Sequence, residues 1–204
     1  AMVNDVSALA DPAVAELCAE HGAGLVITHT RAAPKVKDFG EYADVVADVI
    51  ELLRDRARAA RDLGVDEDSL LLDPGFDLAK TPQESVQLLR RLSELEDLGR
   101  PLLLAISRKD FIGAITGRRP ADRGAGTLGA IEPALNLPGA VLRVHEVAAT
   151  ADFLSVRTAL RGESDPPAGP LEAQLRTEEP PRRSGRDQRA GLGRRAVLGE
   201  TQRG

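Results

Sequence analysis

The sequence is short of several things, and each shortage closes off a class of function. Cys18 is the single cysteine in 204 residues, so an intramolecular disulfide and a metal–thiolate cluster are both excluded. A reducing, cytoplasmic setting is expected. Tryptophan is absent and aromatic residues make up 2% of the chain, too few for platforms that stack single-stranded nucleic acid. The formal charge of −5 and a sequence pI near 5.3 lack the basic excess of a nucleic-acid footprint. No apolar run approaches the length of a membrane span, and no secretory n-region with its h-region opens the chain. Nucleic acid and membrane are therefore not expected as partners.

What is present reads as alternating strands and helices. Asp11 to His21 opens with Asp-Pro, a cap followed by a first-turn proline, and stops before Gly22. Tyr42 to Leu63 carries an apolar stripe through Val45, Val49, Leu52 and Leu53 and ends at Gly64. Thr81 to Leu98 opens with Thr-Pro and ends at Gly99. Between these helices lie short apolar runs at Met2–Val3, Leu25–Ile27, Leu70–Leu72, Leu102–Ile106 and Val141–Val144. Continuous rather than alternating apolar runs suit parallel strands covered on both faces. The spacing predicts an α/β fold with helical crossovers. From about Arg161 the chain turns rich in Pro, Gly, Arg and Glu, and residues 162–204 are expected to form a disordered tail.

Polar and ionisable residues gather after the apolar runs rather than before them. The run ends carry Asn4-Asp5, Thr28-His29, Asp73, Ser107-Arg108-Lys109, and Arg143 with His145. In α/β sheets and barrels, ligands bind at the carboxyl ends of the strands. Arg143 and His145 are two apart, so on a strand both point the same way and could seat an anion. An Arg143–Glu146 pair with a capping His145 is the plainer alternative. Ser107 and Lys109 share a face in the same manner. Asp73 can accept two hydrogen bonds side by side, as an amidine-like ring edge would offer, and Asn4 can donate and accept in one plane. Beside a lysine, Asp73 is expected to stay ionised. Its plainer role is to start a turn, because Asp-Pro-Gly is good turn chemistry. The glycines of Gly124 to Ala130 match no phosphate-loop pattern and are read as close packing.

Taken in order, "VNDVSAL", "LLLDPGFDLAKTP", "AISRKDFIG", "GAGTLGA" and "VLRVHEVA" resemble successive motifs of the dihydropteroate synthase family. The likeness covers roughly Met2 to Leu160 and corresponds to strands four to eight of that family's (β/α)8 TIM barrel. The resemblance implies a pterin-binding barrel over residues 1–161, incomplete because the family's first three strands are absent. The chain is therefore expected to be the C-terminal part of a longer protein, catalytically silent and marginally folded alone, with an open strand edge at Met2 to Asn4. The implied reaction condenses 7,8-dihydropterin-6-ylmethyl diphosphate with p-aminobenzoate, giving dihydropteroate and pyrophosphate. By the same resemblance, Asn4, Asp73 and Lys109 hold the pterin and Arg143 and His145 hold the diphosphate, aided by Mg²⁺ bound through the substrate. No metal ligand is expected in this chain. Family members are commonly homodimers.

The departures from the family pattern fall on the amine-acceptor side, where Leu78, Ser107 and Asp110 would line the p-aminobenzoate site. Leu78 stands where the family carries an aromatic in Gly-Phe-Gly-Lys or Gly-Phe-Ala-Lys; this chain reads Asp77-Leu78-Ala79-Lys80. Asp110 replaces a serine that receives the benzoate carboxylate, and like charges there are expected to cost about 1 kcal/mol of binding. The family's Met-His-Met is Thr28-His29-Thr30. These changes resemble a divergent actinobacterial paralogue group, so a catalytically inactive pterin-binding paralogue is the alternative function. Another pterin barrel, a methyltetrahydrofolate methyltransferase domain, fits less well, because methyl transfer has no use for the cationic Arg143–His145 seat.

Overall fold

In the computed structural model, residues 1–33, 36, 39–172 and 175–177 are described. The chain divides into one compact unit, Ala1–Glu163, and a second, Ser164–Gly204. The described residues of the second unit are exposed, with Arg176 Nε donating to the Leu171 carbonyl at 2.7 Å. The expectation of a disordered tail falls mostly outside the described residues.

Among the described residues, five short parallel strands build the first unit: β1 (Met2–Asp5), β2 (Gly24–Thr28), β3 (Leu70–Asp73), β4 (Leu103–Leu104) and β5 (Val141–Leu142). They pair in chain order, β1 to β2 to β3 and β4 to β5, with a Leu72–Leu102 bridge joining the two sheets. Helices α1 (Ala13–Glu20), α2 (Val45–Asp62), α3 (Pro82–Arg90), α4 (Asp110–Thr116), α5 (Gly124–Ile131) and α6 (Val147–Leu160) follow or connect the strands. This is an α/β arc of the kind found in a TIM barrel. Among the described residues β1 pairs on one side only, and its Met2 and Val3 are 56% and 40% exposed, which matches the open edge expected there. No helix among the described residues is long and apolar enough to cross a membrane.

The helix starts follow their caps. Asp44 accepts hydrogen bonds from the amides of Val46 and Ala47 at the start of α2, and Thr81 with Glu84 closes a capping box on α3, each contributing about 1 kcal/mol. The single helix expected over 81–98 is instead broken: α3 ends at Arg90 and a 3₁₀ segment runs from Leu92 to Leu98. Three residues per turn align Leu92, Leu95 and Leu98 along one edge, and the first two are fully buried. The expected close packing at Gly124–Ala130 is borne out. A Cβ on Gly126 would stand 2.5 Å from Ile112 Cγ2, so the glycine lets α5 rest against α4.

Strand alternation sorts the core into two layers. Leu25, Ile27, Leu70, Leu72, Leu104 and Ile106 pack outward with helix residues such as Val49, Leu53 and Leu88. Val26, Leu103 and Ala105, with Leu71, form a small inner cluster. The inner face therefore receives every second residue of each strand, and the same alternation delivers the polar strand ends to one place.

Candidate active site

Register fixes which side chains meet. Thr28 lies opposite Asp73 and Asn4 opposite Val26, so Asn4, Thr28 and Asp73 project to the inner face with Val26. Leu103 lies opposite Val141, and Arg143 follows two residues later, just past the end of β5. At the carboxyl end of the arc these residues line a cleft of about 360 Å³ with Asn4, Asp73, Lys109 and Arg143 in its wall. The carboxylate, ammonium and guanidinium from separate strand ends thus share one mouth. Leu78, Phe76 and Ala105 add apolar surface to it.

Asp73 takes both of the roles open to it. Its Oδ1 accepts the Gly75 amide at 2.8 Å, which is the turn, and the same side chain lines the cleft at 4% exposure. Burial pushes its carboxyl above the ordinary carboxylate range, against the Gly75 amide and the charges of Lys109, Lys80 and Arg143. Asp73 is expected to stay ionised beside a lysine; desolvation outweighs the combined cations and works against that ionisation.

Lys109 donates to the Phe76 carbonyl at 2.7 Å, and burial pulls its pKa down against Asp77 and Asp73. Arg143 is exposed at the mouth; its amide donates to the Leu104 carbonyl at 3.1 Å, while its guanidinium makes no hydrogen bond or ion pair among the described residues. Glu146 is taken instead by Arg108 at 3.0 Å, so the Arg143–Glu146 alternative is excluded. Neither His145 nor Ser107 is in the cleft wall; they bond to each other, Nδ1 to Oγ at 2.9 Å, just beyond Arg143. Asp110 is outside the wall too. It starts α4, is paired with Arg123 at 3.1 Å, and gives its amide to the Asp77 carboxylate.

The sequence reading assigned no site role to several residues that hold the cleft in shape. Asp77 has φ 61 where the family pattern has glycine, and a short polar side chain is among the few that adopt this conformation readily. Its carboxylate also accepts the Ser85 hydroxyl at 3.2 Å. Beneath the turn after β3, Lys80 Nζ lies 2.7 Å from His29 Nδ1, and His29 Nε2 lies 2.9 Å from Asp48 Oδ1. Arg31 closes the chain on Asp48 and lies 4.4 Å over the Tyr42 ring. The available signal was a lysine and a histidine, each embedded in an otherwise apolar or turn-forming run.

Among the described residues no three His, Cys, Asp or Glu side chains are grouped to hold a metal ion. Lys109 and Arg143 in the cleft wall are cations, the charge of an anion seat. They do not fit a metal, so the Mg²⁺ expectation has no ligand set here.

The chain matches the family described as "Pterin binding enzyme" over residues 1–145. It is 39% identical over 163 residues to the dihydropteroate synthase of Neisseria meningitidis serogroup C, covering 78% of this chain and 58% of that protein. It is also 39% identical over 171 residues to the "inactive dihydropteroate synthase 2" of Mycobacterium leprae, covering 81% and 59%. A solved structure of Xanthomonas albilineans dihydropteroate synthase with 4-aminobenzoic acid superimposes with a TM-score of 0.72 at 41% identity, covering 78% of this chain and 57% of that one. The chain thus spans less than two thirds of the length of these relatives.

Proposed function

Because the chain belongs to the pterin binding enzyme family, we propose that its cleft binds a reduced pterin diphosphate and, in the whole protein, transfers the pterinylmethyl group to p-aminobenzoate. The products are dihydropteroate and pyrophosphate. The carrying observation is the convergence of Asn4, Asp73, Lys109 and Arg143 on one cleft. Asp73 and Asn4 hydrogen-bond the ring edge, and Lys109 contacts the ring. Arg143 and His145 receive the diphosphate.

The methylene–oxygen bond breaks with its electron pair leaving on the diphosphate, and the pterin stabilises the methylene cation. The amine nitrogen then forms the new C–N bond and releases its proton to solvent. Arg143, with no anion among the described residues, is available to stabilise the leaving charge, and the cleft wall orients the ring for attack. Any Mg²⁺ belongs to the substrate's diphosphate. A cytoplasmic setting and a homodimer complete this reading.

A second reading, pterin binding without turnover, is favoured by Leu78 in the cleft wall where the family pattern has an aromatic. The likeness to an inactive synthase supports it as well. Calorimetry with the pterin diphosphate, together with a product assay, separates the two. Binding that falls at least tenfold in Asp73→Ala and Arg143→Ala supports the site; unchanged binding in both overturns it. Binding without dihydropteroate formation selects the second reading.

A further inference from the structure

We propose that Lys80 is a positioning residue for this cleft: from beneath the turn that follows β3, its ammonium keeps Asp73 a carboxylate for the incoming ring. Lys80 does not touch the cleft. Its side chain is 1% exposed, and its three donors are all committed, to His29 Nδ1 at 2.7 Å, the Gly75 carbonyl at 3.0 Å and the Leu78 carbonyl at 3.2 Å. A donor on Nδ1 requires a lone pair there, which leaves the imidazole proton on Nε2, facing Asp48. His29 is therefore a neutral acceptor and the positive charge belongs to Lys80, whose pKa burial lowers to about 7, so the ammonium is fully formed only below that pH.

The same turn orients Asp73. Gly75 receives Lys80 through its carbonyl and gives its amide to Asp73 Oδ1 at 2.8 Å. A Cβ at Gly75 would stand 2.0 Å from the His29 carbonyl, so the turn is pressed onto the end of β2 directly above Lys80. The charged groups facing Lys80 are Asp73 from β3, Asp48 from α2, Glu84 from α3 and Lys109 ahead of α4. Those facing Asp73 are Lys109, Lys80 and Arg143. Lys109 and Arg143 line the cleft and become engaged when a ligand enters. Lys80 stands outside the cleft wall, so a ligand does not take up its charge. An ionised Asp73 is needed because a protonated carboxyl offers one acceptor fewer to a donor-rich ring edge.

The test reads the protonation of Asp73 directly, by infrared difference spectroscopy of the full chain against Asp73→Asn across pH. Lys80→Met removes the charge and keeps the stem, while Lys80→Gln retains a donor for the turn carbonyls. The carboxyl midpoint is expected to move up by about one unit or more in both variants, and the acid limb of pterin-diphosphate binding should move with it. Restoration of binding at higher pH in both variants is a signature that lost structure would not give. An unmoved midpoint overturns the proposal. So does unfolding of both variants, which would assign Lys80 to the fold. The proposal rests on the pterin reading for its ligand arm alone: a wild-type chain that binds no pterin sinks that reading, while the infrared arm still decides whether Lys80 and Asp73 are coupled.

Discussion

The Ser107 hydroxyl lies 2.9 Å from Nδ1 of His145 and also accepts the His145 backbone amide at 3.2 Å. These two contacts tie the segment after β4 to the segment after β5 and fix the imidazole against Ser107. Ser107, placed by family likeness on the acceptor side, thus bonds to a residue of the proposed diphosphate seat. Ser107→Ala should weaken binding of inorganic pyrophosphate by about two- to tenfold, the worth of one net hydrogen bond, with the unfolding midpoint nearly unchanged. Titration calorimetry checks this.

Gly75 has φ +69 and sits where a side chain would collide with the His29 carbonyl. Gly75→Ala should destabilise the chain by about 2 kcal/mol or more and lower pterin affinity, because the turn that holds Asp73 must lift. Urea unfolding and ligand titration on one sample read both effects.

Stability should fall with acid in a defined window. His29 is fully buried, and its pKa is lowered to about 4, by burial first and then by the Lys80 charge, with Asp48 opposing. The unfolded imidazole, with a pKa near 6.5, binds a proton that the folded one refuses. The stabilising difference is therefore complete above the unfolded pKa and is lost as pH falls from 6.5 to about 4. The loss should reach about 3 kcal/mol. Urea unfolding across this range should show the slope in the wild type and flatten it in His29→Gln.

The resemblance puts Asp110 where a benzoate carboxylate would be received, yet its own carboxylate is paired with Arg123 and its side chain is 59% exposed. Solvent and the guanidinium screen its charge. Asp110→Ser should therefore change p-aminobenzoate affinity by less than about threefold, well below the penalty that an unpaired facing charge would impose. Competition binding against the pterin-loaded chain measures this.

Much of the architecture was legible because its signals are local. Asp11-Pro12 and Thr81-Pro82 mark helix starts through bonds to amides two or three residues on, whereas the helix expected from Tyr42 starts at Val45, after the Asp44 cap. The apolar runs at Leu25–Ile27 and Leu70–Leu72 are where the central strands lie. The break at Arg91 was not legible, since Leu92, Leu95 and Leu98 satisfy a helical stripe and a 3₁₀ edge almost equally well. Packing against the rest of the core, not propensity, separates the two.

The candidate site divides in the same way. Sequence by itself determined that a carboxylate, an ammonium and a guanidinium follow separate apolar runs, because the two-residue period of a strand and its polar end are written in the local order. Tertiary structure alone decided that Glu146 goes to Arg108 and leaves Arg143 without an ion pair among the described residues, and that Lys80 turns inward to His29. Both outcomes depend on distances between residues far apart in the chain. Charge pairing and burial act through space, and a one-dimensional pattern does not record which of several possible partners lies within reach.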